Sequence, residues 1–433
     1  MSSILEGTRY QSYVYGYPHK TAYRQIQPAL PLGPLWAKER RDALFLYFHI
    51  PFCEQRCGFC NLFTQPVPET DRVDAYLATL GRQVHVVRRA LDEGGDFAIA
   101  RAAIGGGTPT LLDAKQLDRL FALVEHMGYR GAPMSVETSP ETALPDRIGV
   151  CVGRGADRVS IGVQSFLDAE VKAVNRPQKA EDVHRALRTI RDAGAKTLNI
   201  DLMYGLPGQT AQTWETSLRS ALEYKPEELY LYPLYVRPLT TLGRKQVEAV
   251  DAHRVALYDQ AGDFLRSAGY RQISLRMWKR GDAPATAGTV YCCQADGMVG
   301  LGCGARSYTQ SVHYSSEWAV GARGVRGIID RWITRTDDEF AVADYGFVLD
   351  ASEQRRRWLI LSLLSDEGLD LDAYRARFAG EPDALEELAA RGWIAQDART
   401  LRLTSEGLAR ADMIGPYLYT DAVNQRMSTY ELT

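Results

Sequence analysis

A chain of 433 residues is long enough for two or three domains, because single hydrophobic cores rarely exceed about 250–300 residues. Its apolar content of 45% and charged content of 24% are typical of globular proteins, and a net charge of −3 leaves no basic footprint for nucleic acid. No segment approaches the roughly 20 apolar residues that span a bilayer, and the first residues do not resemble a secretory signal. Three of the seven cysteines lie within eight residues, a poor disulfide framework. We therefore expect a cytoplasmic protein, without a nucleic-acid or membrane partner, that uses cysteine for metal or redox chemistry.

The first 42 residues are rich in tyrosine and proline, which predicts an extended arm that packs on the body. From residue 43, short apolar runs alternate with helical patterns. The predicted strands are Leu44–Ile50, Ala98–Ile104, Pro133–Glu137, Asp157–Val163, Thr197–Tyr204 and Leu229–Leu234. The main predicted helices are Val73–Leu91, Gln116–Met127, Ala180–Ala193, Thr213–Tyr224 and His253–Ser267. Such alternation predicts an α/β fold with a parallel sheet covered by helices.

The later part of the chain has a different pattern. It is irregular through Cys292–Ser307 and becomes rich in helix from about Glu353. A short wing, Gly392–Gln396 and Leu401–Thr404, predicts a small winged-helix-like domain at the end. The predicted domains are the arm (1–42), the α/β body (43–310), a connecting segment (311–350) and a C-terminal domain (351–433).

The clearest motif is the set Cys53, Cys57 and Cys60, with the spacing C-x3-C-x2-C directly after the first predicted strand. Three thiolates on one tight loop can bind three irons of a cubane cluster and leave the fourth iron open. The alternatives are cysteines that only pack, or three of four zinc ligands with a distant fourth. The spacing favours iron–sulfur over zinc.

The loop and its flanks, from Tyr47 to Cys60, resemble the cluster loop of radical S-adenosylmethionine (SAM) enzymes, and in particular that of the oxygen-independent coproporphyrinogen III oxidases (HemN). Further motifs follow in the order of that family: Gly105–Thr110, Ile161–Phe166, Asn175-Arg176, Asn199–Pro207 and Gly300–Gly304. The resemblance spans residues 47–306, and a HemN-like C-terminal domain follows. It implies a partial (βα)6 barrel of the TIM type, with the cluster at the carboxyl ends of the strands.

The resemblance also implies the chemistry. A [4Fe–4S] cluster held by Cys53, Cys57 and Cys60 would bind one SAM through its open iron. An electron from a donor such as flavodoxin or ferredoxin would cleave that SAM to a 5′-deoxyadenosyl radical, which abstracts hydrogen from a small-molecule substrate. The protein positions the cofactor and excludes competing reactions.

Several residues match positions that contact this SAM in the family. They are Tyr47, Phe59, Gly106, Gly107, Thr108 and Glu137. Glu137 would accept charge-assisted hydrogen bonds from the ribose hydroxyls, and its alternative is an exposed loop carboxylate. As lone aromatics beside a strand, Tyr47 and Phe59 would otherwise belong to the core.

A second group matches residues that hold SAM near the cluster in a family that binds two SAM molecules. Gln164, Arg176 and Asp201 form this group, and Asp201 interrupts an apolar strand, where a carboxylate is costly unless it is paired or used. Arg176 could bind a SAM carboxylate as a fork, and Asp201 could bind ribose hydroxyls or face a sulfonium.

Met203, Tyr235 and Arg306 match positions that line the second SAM, although Tyr235 and Arg306 replace small or apolar residues there. We predict Met203 and Arg306 as further cofactor-binding residues. The predicted catalytic residues are Asp201, Gln164, Arg176 and Tyr235.

Two departures from the family bear on the reaction. Coproporphyrinogen oxidases carry a further cysteine where this chain has Asn61-Leu62-Phe63, and the heme-binding motif of the related heme chaperones (HemW) has no counterpart near Tyr291–Gln294. The resemblance therefore favours two-SAM chemistry, C-methylation or cyclopropane formation, on a non-porphyrin metabolite. Anaerobic coproporphyrinogen III oxidation (or another tetrapyrrole reaction) and a heme-chaperone role are the alternatives.

Four cysteines lie outside the loop. Cys292, Cys293 and Cys303 can be inert thiols, ligands of a second cluster or a thiol hydrogen donor, of which inert thiols are favoured. Cys151 is predicted to belong to the core.

Overall fold

The structure is a computed structural model that describes residues 2–66, 68–176, 178–284, 289 and 291–432. The strands are β1 (Arg24–Pro31), β2 (Leu44–Ile50), β3 (Phe52–Cys53), β4 (Gln65–Pro66), β5 (Ile99–Gly106), β6 (Met134–Thr138), β7 (Arg158–Gln164), β8 (Thr197–Tyr204), β9 (Glu228–Pro233), β10 (Tyr270–Gln272), β11 (Met277–Arg280), β12 (Met298–Leu301), β13 (Arg306–Tyr308), β14 (Val312–Ser315), β15 (Val342–Val348), β16 (Leu369–Asp370), β17 (Ile394–Gln396) and β18 (Thr400–Leu403). The α-helices are α1 (Ser2–Leu5), α2 (Leu32–Trp36), α3 (Thr70–Asp92), α4 (Ala114–His126), α5 (Pro145–Gly153), α6 (Asp168–Ala173), α7 (Ala180–Asp192), α8 (Ala211–Leu222), α9 (Thr241–Arg244), α10 (Asp251–Ser267), α11 (Ala322–Ile333), α12 (Asp337–Phe340), α13 (Ala351–Leu363), α14 (Leu371–Phe378), α15 (Glu386–Ala390), α16 (Ser405–Leu408), α17 (Ala411–Tyr417) and α18 (Asp421–Ser428).

One large sheet organises the molecule. Its strand order is β1-β15-β14-β13-β12-β2-β5-β6-β7-β8-β9-β11-β10. The strands from β12 to β9 run parallel to one another, whereas β13 and β11 flank them antiparallel. The α/β fold with a central parallel sheet is thus confirmed. The edge strands β1 and β10 are not paired with each other within the described ranges, and the partial (βα)6 barrel stays a prediction.

The expectation of an irregular segment through Cys292–Ser307 is wrong. The strands β12 and β13 lie there, and β12 pairs in parallel with β2. A strand of four residues is too short to show a period, and Gly300 in its middle suggests a break. The glycine is instead required by close packing, because a Cβ at Gly300 would lie 2.2 Å from the carbonyl oxygen of Arg306.

Two apolar clusters join the sheet to its helices. Leu46 of β2 and Ile104 of β5 share one cluster with α3 and α4, while β7, β8 and β9 share the other with α7, α8 and α10. Because helices cover the parallel strands, β8 is almost uniformly apolar and buried, as a strand of this kind should be. Asp201, which is half-buried, places a carboxylate in the middle of β8.

The N-terminal arm packs on the body, as expected. Tyr10, Tyr17 and Tyr23 are buried, and β1 pairs antiparallel with β15. The Tyr17 hydroxyl donates to Glu353 of α13, and the Ser12 N–H donates to the carbonyl of Asp412, at 3.2 Å. The arm therefore connects the sheet to the C-terminal helices.

The C-terminal region contains the predicted wing. The strands β16, β18 and β17 form a small antiparallel sheet, and its apolar core includes residues of the arm such as Val14 and Tyr17. Residues 312–348, inside the predicted connecting segment, contribute β14 and β15 to the main sheet. The division into four domains stays a prediction. Across the residues that the structure describes, no helix has the length and apolarity needed to cross a membrane.

Candidate active site

The predicted site residues cluster at one edge of the parallel sheet. The strand β2 ends at Ile50, opposite Gly106 at the end of β5, and the cysteine loop follows at once. Further along the same edge, Glu137 stands near the end of β6, and Asp201 of β8 pairs with Gly162 of β7. Parallel strands bring their carboxyl ends together, so residues distant in sequence share this edge.

The cysteine loop is held by backbone hydrogen bonds. The N–H of Gly58 donates to the carbonyl of Val174 at 2.8 Å, and the N–H of Leu242 donates to the carbonyl of Gly58 at 2.9 Å. A Cβ at Gly58 would lie 2.7 Å from the Val174 oxygen, so only glycine allows this approach. The backbone therefore fixes the loop from two sides.

The three loop thiols fit an iron–sulfur cluster. All three are partly accessible, and burial followed by the neighbouring Cys60 and Cys57 raises the pKa of the Cys53 thiol to about 12. Three adjacent thiolates need a strong positive charge, which bound iron supplies. Among the described residues, no three His, Cys, Asp or Glu side chains converge on one metal ion. In a cubane each thiolate binds a different iron, so this spacing fits a cluster better than a zinc site.

The glycine triplet leaves space for the cluster loop and for Glu137. A Cβ at Gly105 would lie 2.7 Å from the Glu137 carboxyl carbon, and one at Gly106 would lie 2.6 Å from the His49 ring. A Cβ at Gly107 would lie 2.4 Å from the Phe52 carbonyl oxygen and 2.9 Å from Cys53 Sγ. Close contacts within the protein thus require glycine at these three positions, in addition to the predicted contact with SAM.

Thr108 and Tyr47 border the loop and the glycines. The Thr108 hydroxyl donates to Cys53 Sγ at 3.6 Å, and its N–H donates to the Phe52 carbonyl at 2.7 Å. The Tyr47 hydroxyl lies 3.1 Å from Nδ1 of His49. Burial lowers the pKa of His49 to about 4, so this ring is neutral at pH 7.

Glu137 lines a cavity that is open to solvent. Its Oε2 accepts the Gly106 N–H at 3.0 Å, and its side chain is accessible although protein surrounds it. Burial raises its pKa, while the Gly106 N–H and the Arg158 charge act in the opposite direction. The carboxylate therefore lies on a strand beside the cluster loop and not on an exposed loop. Its second oxygen is free to accept hydrogen bonds from a ligand.

Asp201 lies two strands further along. Asn199 Nδ2 donates to its Oδ1 at 2.7 Å. Burial raises the pKa of Asp201 to about 7; Asn199 and Arg158 act against this rise, and Glu137 adds to it. Asp201 is thus close to half-protonated at neutral pH.

Gln164 ends β7, and Arg176, which follows α6, reaches back both to β7 and to the cysteine loop. Gln164 has a positive φ of 68° at a bulge in β7, and its Nε2 folds back over Gly162. Arg176 donates to Cys57 Sγ at 3.0 Å, to the Gly162 carbonyl at 2.6 Å and to Gln178 at 2.8 Å. In this arrangement Arg176 supports a cluster ligand directly, whereas the sequence suggested a fork onto a SAM carboxylate.

The residues matched to a second SAM have separate surroundings. Met203 is buried in an apolar cluster with Val174, and Phe59 packs against that cluster. The Tyr235 hydroxyl donates to the Asp412 carboxylate. Arg306, on β13, stacks at 4.4 Å over the ring of Tyr15.

Sequence reasoning missed the contribution of the arm and of the C-terminal helices. Arg276 donates to Tyr235 at 2.5 Å and to Asp412 at 2.6 Å, and it stacks at 3.8 Å over Tyr13. These contacts join β9, α17 and the arm at one side of the cavity. The density of tyrosines in the arm was the only signal, and it did not indicate which tyrosines face the cavity.

The remaining cysteines do not gather. Cys303 is buried in the apolar core, and Cys151 is buried as predicted. Cys292 and Cys293 precede β12, and the adjacent Tyr291 packs on Phe45 near the start of β2. That is the sheet edge opposite to the cluster loop. The positions therefore support neither a second cluster nor a thiol hydrogen donor.

Comparison with known proteins agrees with this geometry. The model of the radical SAM superfamily matches residues 47–221. The heme chaperone HemW of Escherichia coli is 31% identical over 274 residues, covering 60% of this chain and 69% of the relative. The oxygen-independent coproporphyrinogen III oxidase of Paracoccus denitrificans is 29% identical, covering 94% and 92%. In structure, E. coli coproporphyrinogen III oxidase (HemN) matches with a TM-score of 0.77 at 22% identity, covering 97% and 98%.

The chain belongs to the radical SAM superfamily, in the branch of the HemN-type coproporphyrinogen III oxidases and the HemW heme chaperones. Its cofactors are accordingly a [4Fe–4S] cluster and SAM. The HemN structure also confirms the fold.

Proposed function

We propose that the protein is an enzyme that forms a 5′-deoxyadenosyl radical from SAM and uses it to abstract hydrogen from an organic substrate in the cavity beside the cluster loop. The observation that carries this proposal is the meeting of three strand ends. The thiols of Cys53, Cys57 and Cys60, the Glu137 carboxylate and the Asp201 carboxyl all lie along one edge of the sheet.

The residues divide the work of holding the cofactors. The loop thiols would bind the cluster, which on reduction supplies the electron that cleaves the C5′–S bond of SAM. Glu137 would accept hydrogen bonds from the ribose hydroxyls, since the Gly106 N–H already orients one of its oxygens. Arg176 stabilises negative charge on the Cys57 sulfur through its hydrogen bond.

Asp201 is suited to hold or accept a proton in the cavity. Its Oδ1 is oriented by Asn199, and its pKa of about 7 allows both protonation states at neutral pH. It would act on a polar group of the substrate or bind the second SAM.

The more specific version of the proposal is alkyl transfer with two SAM molecules. Gln164 and Asp201 support it, because polar side chains on strands of the central sheet are costly without a polar ligand. Arg176 gives less support, since it already has three acceptors within the protein. The surroundings of Tyr235 disfavour two-SAM alkyl transfer, because the Tyr235 hydroxyl is already hydrogen-bonded to Asp412 and Arg276. The relatives compared are coproporphyrinogen oxidases and heme chaperones, so they do not support a preference for methyl transfer.

Coproporphyrinogen oxidation is the second candidate. It is favoured by the similarity to the P. denitrificans oxidase over 94% of this chain. It is disfavoured by Asn61-Leu62-Phe63, which replaces the additional cysteine of the family. A chaperone role would require stoichiometric heme binding, which a heme titration of the cluster-free protein measures.

Isotope labelling decides among these reactions. The anaerobically reconstituted protein is incubated with reductant and with SAM whose methyl group carries three deuteriums. Formation of 5′-deoxyadenosine supports the general proposal, and its absence contradicts it. Deuterium in a substrate product supports alkyl transfer, whereas decarboxylation of coproporphyrinogen III without deuterium incorporation supports the second candidate.

Equilibrium dialysis with labelled SAM tests the paired arrangement. We expect two equivalents in the wild type and one in Asp201→Ala with its cluster intact. A single equivalent in the wild type under saturating SAM would rule out alkyl transfer by two SAM molecules.

A further inference from the structure

The cavity has a basic side that the proposed chemistry leaves unused. Arg306 comes from β13, and Lys20 comes from the N-terminal arm. The Arg306 backbone packs against Gly300, which pairs with Tyr47 of β2, and the Tyr47 hydroxyl lies 3.1 Å from His49, whose ring adjoins Gly106. These contacts place Arg306 on the β2 side of the glycine triplet, and the charges of both Arg306 and Lys20 act on His49.

Neither cation has an ionic partner in the described part of the chain. The groups that influence Arg306 most are the phenols of Tyr15, Tyr308, Tyr23 and Tyr47, and no carboxylate is among them. Its Nη1 is buried without a hydrogen-bond partner. Arg276 differs, because its buried guanidinium is paired with the Asp412 carboxylate.

Aromatic rings stabilise part of the charge of the two cations. Arg306 lies 4.4 Å from the ring centre of Tyr15 and 5.7 Å from that of Tyr308, and Lys20 Nζ lies 3.7 Å from that of Trp318. Cation–π contacts stabilise a charge but leave N–H donors unsatisfied. A partly buried guanidinium with an unpaired N–H therefore remains costly unless a bound anion accepts a hydrogen bond from it.

Tyr15 stacks against Arg306 and borders open space. The residue is 39% exposed, although protein surrounds it. Burial alone would raise its pKa, but the charges of Arg306 and Lys20 outweigh burial and hold the pKa below its ordinary value. A ligand in the cavity can thus reach the phenol and both cations together.

We propose that Arg306, Lys20 and Tyr15 form a binding site for a carboxylate group of the ligand in this cavity. The planar fork of arginine matches the two oxygens of a carboxylate, and lysine adds a second positive charge. This site rests on the proposed function in that SAM and a substrate occupy the cavity. The carboxylate belongs either to the substrate or to the methionine part of a second SAM.

Citrate serves as the probe, because it is a multivalent carboxylate unrelated to SAM. Calorimetric titration of the cluster-loaded wild type should show binding, and citrate should raise its Tm. Arg306→Gln and Lys20→Gln should each weaken citrate binding by about tenfold or more, because each loses a charge-assisted hydrogen bond. Lys38→Gln, at an exposed position, is the matched control and should bind as the wild type does. Equal affinity in all four proteins would overturn the site.

SAM and decarboxylated SAM distinguish the two sources. If the second SAM supplies the carboxylate, the wild type should bind one equivalent fewer of decarboxylated SAM, and Arg306→Gln should lose the same equivalent of SAM. If the substrate supplies it, the SAM stoichiometry of Arg306→Gln should equal that of the wild type. Cleavage of SAM by the wild type is assayed in the same preparation. Absence of SAM cleavage by the wild type refutes the proposed function. Citrate affinity that is the same in the wild type, Arg306→Gln and Lys20→Gln refutes only the carboxylate site.

Discussion

The cavity has two sides that are built in different ways. On the cluster side, the Cys53 loop, the glycine triplet and Glu137 come from neighbouring strand ends, and the hydrogen bond from Gly106 to Glu137 joins residues 31 apart. On the arm side, Tyr235 bonds to Asp412 across 177 residues, and Arg237 bonds to the Gln11 carbonyl across 226 residues.

One side of the cavity thus binds the cofactor, and the other closes the cavity. The cluster side binds a cofactor that is the same throughout the superfamily, so compact motifs describe it. The arm side depends on how the two ends of the chain fold back over the sheet. We therefore expect substitutions on the cluster side to remove chemistry at normal stability, and those on the arm side to lower stability or change the ligand.

The largest effect is expected at the cluster loop. Replacing Cys53, Cys57 or Cys60 by alanine should abolish the cluster absorbance and SAM cleavage, because each thiolate binds one iron. Cys303→Ala, in the core, is the control and should retain iron. A triple loop variant that still cleaves SAM would place the cluster elsewhere.

On the arm side, Asp412→Ala should strongly destabilise the fold. The side chains of Arg276 and Asp412 are only 4% and 2% exposed, so the change leaves a buried guanidinium unpaired. The expected loss in free energy of unfolding is about 3–5 kcal/mol by urea denaturation. Asp263→Ala breaks the exposed pair with Arg266 and should cost less than about 1 kcal/mol. Similar losses in both variants would show that the arm side is not held by this pair.

These two sides also differ in how far the sequence predicts them. The six parallel strands and the cysteine loop were predictable, because apolar runs and cysteine spacing are local in the chain. The strand β12 was missed since four residues show no period and Gly300 suggests a break. The pairing of Tyr235 with Asp412 could not be predicted, because no local sequence pattern indicates a contact between residues 177 apart.

Glu137→Gln should weaken SAM binding while cluster content stays normal. The substitution keeps the shape but removes the ionised acceptor, at a cost of about 1–3 kcal/mol, which is about tenfold or more in affinity. Glu223→Gln, at an exposed helix end, controls for a general change of charge. Unchanged SAM affinity in Glu137→Gln, measured by dialysis, would remove Glu137 from the cofactor site.

Counted per pH unit, the smallest expected effect is a pH dependence of stability from Asp201. Its folded pKa of about 7 lies above the unfolded value, so the folded state keeps a proton that the unfolded state releases between about pH 4 and 7. The free energy of unfolding should therefore fall as pH rises through this window, by under about 1.4 kcal/mol per pH unit. Asp201→Asn should show a flatter profile in the cluster-free protein. Parallel profiles would mean that Asp201 is ionised throughout.

The central claim is that an open iron of one cubane, held by the cysteine loop, binds SAM beside Glu137. Electron paramagnetic resonance of the reduced protein, with and without SAM, tests it most directly. The account predicts one [4Fe–4S] signal per chain whose g values shift when SAM is added, with a smaller fraction shifted in Glu137→Gln at the same SAM concentration. A signal that SAM leaves unchanged, or a protein without a reducible cluster, would contradict it.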